Sequence, residues 1–370
     1  MISELVKGKQ ARVIAFYLPQ YHPIPENDEW WGKGFTEWTN VGKAKKLFKG
    51  HYQPRVPSDL GYYDLRVPET RKAQADLARE HGIEGFCYWH YWFGNGKRLL
   101  ERPFNEVVSS GEPNFPFCLA WANESWKGFD HGLMNRNMLI EQLYPGIIDY
   151  TAHFYEVLPA FKDKRYIKVD DKPLFMIYRP LADPEVSVFI ETWRKLALSN
   201  GLNGIYFVGH LNQLNYSVDE ILSSGVDGVN TTRLTNYIYK HQNIANKIIK
   251  KVKKKIFRSP YSFTYKEMSK YFLIKSDDEK TNVFPSIIPG WDHTPRSGIE
   301  GLIIHDSTPE LFEKHVEKAV DLVRHKEPEH KLIFLKSWNE WAEGNYVEPD
   351  SRWGKEYLQA IKKQIINFKL

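Results

Sequence analysis

The chain has 370 residues, 42% hydrophobic, 26% charged and 15% aromatic, with a formal net charge of +5. This profile excludes a disordered chain, and the length suits a barrel or a large α/β unit better than an ordinary small domain. The absence of any apolar stretch of about 18 residues excludes a spanning helix, and two cysteines, Cys87 and Cys118, cannot build a disulfide framework.

In chain order, "RVIAFYLPQY" (12–21) reads as a first strand, with no signal-peptide-like run before it, so a cytoplasmic location is expected. "PETRKAQADLAREHG" (68–82) opens on proline and closes on glycine, which predicts a helix. Strands follow at 83–93 and 115–126, then a helical spacing through Ile148, Ala152 and Tyr155, then a strand at 172–180. A helix at 186–201 leads into strands at 204–210 and 226–230, the latter short. The run 282–292 is strand-like to its proline, 309–326 carries Phe312, Val316, Val320 and Val323 on one helical face, and 331–338 is the last strand. An amphipathic helix through Tyr357, Ile361 and Ile365 closes the chain.

Eight strand candidates alternating with helices predict one (β/α)8 barrel spanning 1–370, with enlarged loops and an insertion around 230–281 where strand signals fade. A doubly wound sheet is the alternative, but "LPQYHP" stands where a glycine-rich phosphate loop would follow the first strand.

In such a barrel the residues after each strand converge on one face, and catalysis belongs there. Here they are polar and aromatic at nearly every strand: Tyr17, Gln20 and Tyr21; Tyr88 to Trp92; Trp121, Asn123 and Glu124; Tyr178 and Arg179; His210; Trp291, Asp292 and Arg296; Asn339, Glu340 and Glu343. From this set Tyr88, His90, Trp121, Asn123 and Asn339 are candidate sugar contacts, because aromatic rings and amides suit the apolar faces and hydroxyls of sugars. Carboxylates among aromatic rings suggest glycoside chemistry, one protonating the leaving oxygen and another acting as base or nucleophile. Spacing alone slightly favours Glu124 with Glu340, each preceded by Asn, over Glu340 with Glu343 in "KSWNEWAEG". The histidines are scattered with no HExxH, so no metal and no cofactor is expected.

Six lysines lie in "KIIKKVKKK" (Lys247 to Lys255), read as a solvated face or as a weak contact to an anionic surface or lipid-linked glycan. No nucleic-acid module accompanies them. "DD" at 170–171 and 277–278 are the only traces of a diphosphate-metal motif, and neither sits convincingly at a strand end.

"IAFYLPQYHPIPENDEWWGKGFTEWTNV" (14–41), "GIEGFCYWHYWF" (82–93), "LERPFNEV" (100–107), "LAWANESW" (119–126), "PGWDHTPR" (289–296) and "KSWNEWAEGNYVEPD" (336–350) together resemble the WbsX-like family, related to glycoside hydrolase family 99. The resemblance covers almost the whole chain. It implies a (β/α)8 barrel acting with retention on α-linked, manno-configured glycans through a 1,2-anhydro sugar. On that pattern Glu340 deprotonates the sugar's 2-hydroxyl and Glu343 protonates the leaving group, while Glu124 becomes a substrate-binding residue. Tyr17, Tyr21, Trp38, Trp291 and Asp292 are implied sugar contacts. The alternatives are a glycosyltransferase or transglycosylase of lipopolysaccharide O-antigen or other surface-polysaccharide synthesis, and a non-catalytic carbohydrate-binding barrel.

Overall fold

The computed structural model describes residues 9–128, 132–133, 137–213, 215–241, 243 and 260–366. Eight strands form its centre: β1 (Arg12–Tyr17), β2 (Ile83–Trp92), β3 (Phe117–Trp121), β4 (Lys172–Ile177), β5 (Tyr206–Leu211), β6 (Gly228–Thr231), β7 (Val283–Ile287) and β8 (Leu332–Leu335). Each is parallel to the next, and β8 pairs with β1, so the ring closes into the expected (β/α)8 barrel. The strands are buried on both faces, which is why they read as continuous apolar runs.

The surrounding helices are α1 (Pro68–Glu80), α2 (Arg102–Ser110), α3 (Ile147–Phe161), α4 (Val186–Ser199), α5 (Val218–Ser223), α6 (Pro309–Val323) and α7 (Glu356–Ile365). Proline in the first turn fixes φ where an N–H has no helical partner, and starts α1, α2 and α6. At α6 the Thr308 side chain also accepts the Leu311 N–H.

The helix expected through Ile148, Ala152 and Tyr155 is α3. Ile148, Ala152 and Tyr155 lie on the solvent side of α3, while Tyr150, His153, Phe154, Val157 and Phe161 face the barrel.

The insertion falls between β6 and β7. Its strand Tyr261–Thr264 runs parallel to Leu302–His305, which pairs antiparallel with Trp291–Asp292. A separate apolar cluster of Phe263, Tyr265, Phe272, Ile288 and Ile304 lies beneath. The insertion is thereby fastened to the β7–α6 connection, which also carries Arg296. Lys247 to Lys255 lie outside the described residues. Among the described residues no helix is long and apolar enough to cross a membrane. Cys87 and Cys118 are free, buried and side by side on β2 and β3.

Candidate active site

The site is built on the turn after β8. Ser337 Oγ accepts the N–H groups of Asn339 and Glu340 at 3.1 and 3.0 Å, turning the chain across the barrel mouth. Residues Asn339–Glu340 then pair antiparallel with Asn345–Tyr346, and Trp341–Glu343 form a single 3₁₀ turn between them. In 3₁₀ geometry positions i and i+3 eclipse. A spacing of three therefore brings Glu340 and Glu343 to one wall of the cleft, close enough for each to act on the other's ionisation. Gly344 closes the turn at φ +57°, and a Cβ there would stand 2.8 Å from the Asp292 Cβ, so only glycine fits without displacement.

The two carboxyls have opposite electrostatics. Burial, the neighbouring Glu343 charge and the hydrogen bond with it push Glu340 up to about 8, against the pull of Lys336 and Arg296. Burial also pushes Glu343 up, but Arg296, His293 and Lys336, with the hydrogen bond from Glu340, hold it below the ordinary carboxylate value. The contacts agree: Arg296 Nη1 lies 2.6 Å from Glu343 Oε1 and His293 Nε2 3.8 Å away, whereas Lys336 Nζ is 3.9 Å from Glu340 Oε2. Arg296 also reaches the fully buried Glu37 at 3.1 Å. At neutral pH the two carboxyls thus share one proton, with Arg296 favouring the charge on Glu343.

Both carboxyls line an open cleft of about 620 Å³ with Gln20, Trp89, Tyr91, Glu124, Trp126, Tyr178, Trp291, Arg296 and Lys336. Of the expected residues, Glu340, Glu343, Glu124 and Trp291 are brought together here. Glu124 is held by Arg179 at 2.5 Å.

Several other expected contacts face the helices instead. Tyr17 donates its hydroxyl to Gln74 on α1 at 2.6 Å, and Tyr88 packs on Tyr17 and on Phe104 of α2. His90 shares a 2.7 Å hydrogen bond with His153 of α3, and burial pushes both imidazoles well down. Trp121 donates to the Trp92 carbonyl at 2.8 Å and packs on Phe189 of α4. The reason is the period of two in a strand. Trp89 and Tyr91, one step out of phase with Tyr88 and His90, point into the mouth, and Trp89 stacks on Phe16 at 4.7 Å.

The remaining candidates shape the site from below. Asn339 accepts the Leu18 N–H at 2.8 Å and donates to the Leu18 carbonyl at 3.0 Å, pinning the β8 turn to the end of β1. Asn123 makes the same two-way link to Arg179, at 2.7 and 2.9 Å. Tyr21 donates to the Asn339 carbonyl and receives the Trp341 N–H, with its ring against Trp38. Trp38 donates to the Tyr63 carbonyl at 2.7 Å. Asp292, fully buried, accepts from His51 and Gln53 at 2.8 and 2.7 Å and from Thr294. Burial raises it, but these donors and Arg55 bring it below its ordinary value. Glu348 is a second buried acid, pushed up to about 7 by burial, that receives Tyr63, Gln74 and Trp341 at 2.7–2.8 Å.

Neither acidic pair reaches the cleft. Asp170 and Asp171 form the two-residue hairpin before β4, at the opposite end of the barrel, both at positive φ. Asp277 and Asp278 are ion-paired with Arg233. Among the described residues no group of three or more His, Cys, Asp and Glu is arranged to hold a metal ion.

An aromatic-walled barrel mouth with a buried carboxylate pair is a setting suited to carbohydrate chemistry. The chain belongs to the Glycosyltransferase WbsX family, whose profile matches residues 13–361. WxcX proteins from two strains of Xanthomonas campestris pv. campestris are 35% and 34% identical to it over 360 residues. That alignment covers 96% of this chain and 50% of theirs, so the chain spans about half the length of these curated relatives. The fold is similar to that of a glycoside hydrolase family 99 endo-α-mannosidase from Bacteroides thetaiotaomicron, with a TM-score of 0.57 at 13% identity over 95% of this chain and 96% of that one. A glycoside hydrolase-like protein gives a TM-score of 0.60 at 16% identity, covering 96% and 94%.

Proposed function

We propose that residues 1–370 form one catalytic domain that transfers an α-linked, manno-configured sugar unit to a sugar hydroxyl in surface-polysaccharide assembly, as a glycosyltransferase or transglycosylase. The observation that carries this reading is the placement of the buried Glu340 and Glu343 carboxyls together in the aromatic-lined cleft at the barrel mouth, with Arg296 2.6 Å from Glu343. Membership of the WbsX family supports transfer over simple cleavage.

In the proposed cycle the proton that the pair shares starts on Glu343, leaving Glu340 ionised. Glu340 then takes the proton of the sugar's 2-hydroxyl, whose oxygen attacks C1 to give a 1,2-anhydro sugar while Glu343 protonates the departing oxygen. In the second half Glu343 deprotonates the incoming hydroxyl, which opens the anhydro ring at C1, and the 2-oxygen recovers its proton from Glu340. Retention follows from two displacements at one carbon. Water in place of the sugar hydroxyl gives hydrolysis, the second reading, which the same pair supports. A cytoplasmic site of action, and a lipid-linked glycan meeting the basic run 247–255, belong to this proposal.

Labelled α-linked manno-oligosaccharides, with and without unlabelled acceptor glycans and nucleotide sugars, provide the test, with products sized by mass spectrometry. Products longer than the donor support transfer, and shorter products alone support hydrolysis. A strict need for a nucleotide sugar points to a nucleotide-dependent transferase. No change in any glycan, under any of these conditions, refutes the enzymatic reading.

A further inference from the structure

Lys336 follows the last residue of β8, and its N–H still donates to the Ile287 carbonyl at 2.9 Å, so the alternation of the strand carries through it. Phe334, two residues back, packs on Phe16 inside the barrel at 5.5 Å. The same phase aims Lys336 into the cleft, where its ammonium lies 5.8 Å from the centre of the Trp291 ring. The residue is only 9% exposed.

The other charges around the cleft are engaged by one another. Arg296 serves Glu37 and Glu343, and Arg179 holds Glu124. Lys336 has one ionic neighbour, Glu340 Oε2, and at 3.9 Å that contact is too long for a hydrogen bond. Its three N–H donors thus have no acceptor among the described residues. A substrate filling the cleft has to supply one or leave a buried charge uncompensated. The spacing says what kind of group can do so. Two groups 3.9 Å apart leave room for a single oxygen about 2.8 Å from each, with an angle of about 90° at that oxygen. A hydroxyl satisfies both, donating to the Glu340 carboxylate and accepting from the ammonium.

We propose that Lys336 is a further catalytic residue, which holds the sugar's 2-hydroxyl against Glu340 and stabilises the negative charge that develops on the 2-oxygen as it attacks C1. This rests on the anhydro-sugar cycle proposed above. In that step the 2-hydroxyl proton goes to Glu340 and the bond from the 2-oxygen to C1 forms. The bond from C1 to the leaving oxygen breaks, and that oxygen takes the Glu343 proton. Negative charge moves from Glu340 to the 2-oxygen within reach of one ammonium, and Lys336 keeps its own protons throughout.

Lys336→Met keeps most of the side chain's length and removes its charge. On α-linked manno-oligosaccharides kcat should fall about 10²–10³-fold with KM changed far less, and Lys336→Arg should restore part of the loss. Binding gives an independent readout. In Glu343→Gln protein, where turnover is slowed, calorimetry compares the same chains with chains deoxygenated at C2. The affinity lost on deoxygenation should be about tenfold larger with Lys336 present than in Lys336→Met. Circular dichroism establishes folding, and Lys336→Gln takes the place of a misfolded Lys336→Met. Undiminished turnover in the folded variant, or equal losses on deoxygenation, overturns the role of Lys336 while the carbohydrate reading stands. No binding by any of these chains overturns both.

Discussion

Replacing Arg296 by Gln tests the electrostatic account of the site directly. Arg296 Nη1 sits 2.6 Å from Glu343 Oε1, and both side chains are buried. A hydrogen bond to a charged group contributes about 1.5–3 kcal/mol, which corresponds to about 1–2 pK units. Without it, burial dominates and the lower of the pair's two macroscopic pKa values rises by that amount. The acid limb of the kcat/KM profile should therefore move about 1–2 pH units upward. The variant also leaves the buried Glu37 without its ion-pair partner, at a cost of about 3–5 kcal/mol in stability. Glu37→Gln/Arg296→Gln separates the two effects: stability should largely return, while the shifted limb stays. Measured rates from pH 4 to 9 and urea unfolding of both variants decide the matter. An acid limb unmoved in both would refute the claim that Arg296 sets the ionisation of Glu343.

Glu340→Gln and Glu343→Gln should each lower turnover about 10²–10⁴-fold while glycan binding survives, and full activity in either removes that residue from the mechanism. Asn339→Ala leaves the Leu18 N–H and C=O without partners and should cost roughly 2–5 kcal/mol in urea unfolding; an unchanged midpoint contradicts the pinning role. Glu340 also predicts a pH dependence of stability. Its folded pKa, about 8, lies above the ordinary value of 4.5, so the stability it confers is full below 4.5 and is lost as pH rises toward 8. Between pH 6.5 and 8 the unfolding free energy should fall by about 2 kcal/mol, and Glu340→Gln should flatten most of that slope. Glu348, pushed up to about 7, contributes a smaller residual part. An equal slope in wild type and variant refutes the raised value.

The barrel was legible because buried parallel strands read as apolar runs, and all eight stand at the expected segments, although β6, "GVNT", carries only a weak signal of that kind. The same property hid the inside of the barrel from its outside. When both faces of a strand are apolar or aromatic, alternation carries no sign, so Tyr88 and His90 look as eligible as Trp89 and Tyr91. Only the pairing partners, Phe104 and His153 on the helices against Phe16 within the barrel, distinguish them. Arg296 stood among the strand-end residues without a role, because its partners Glu37 and Glu343 lie 259 and 47 positions away. Lys336 and Trp126 had no signal beyond proximity to a strand end.

The spacing of Glu340 and Glu343 was visible from the start, but its meaning depends on backbone geometry. In an extended strand, residues three apart point to opposite faces, and the two acids could not cooperate. The 3₁₀ turn reverses that, and it forms because Ser337 turns the chain, residues 345–346 return to pair with 339–340, and Gly344 takes a left-handed conformation against Asp292. Arg296 then makes the two acids unequal. It arrives from the β7–α6 connection, which the insertion sheet holds through Trp291–Asp292. The insertion after β6 thus reaches the chemistry through one short strand, so changes there are expected to act on the ionisation of Glu343 rather than on the barrel itself.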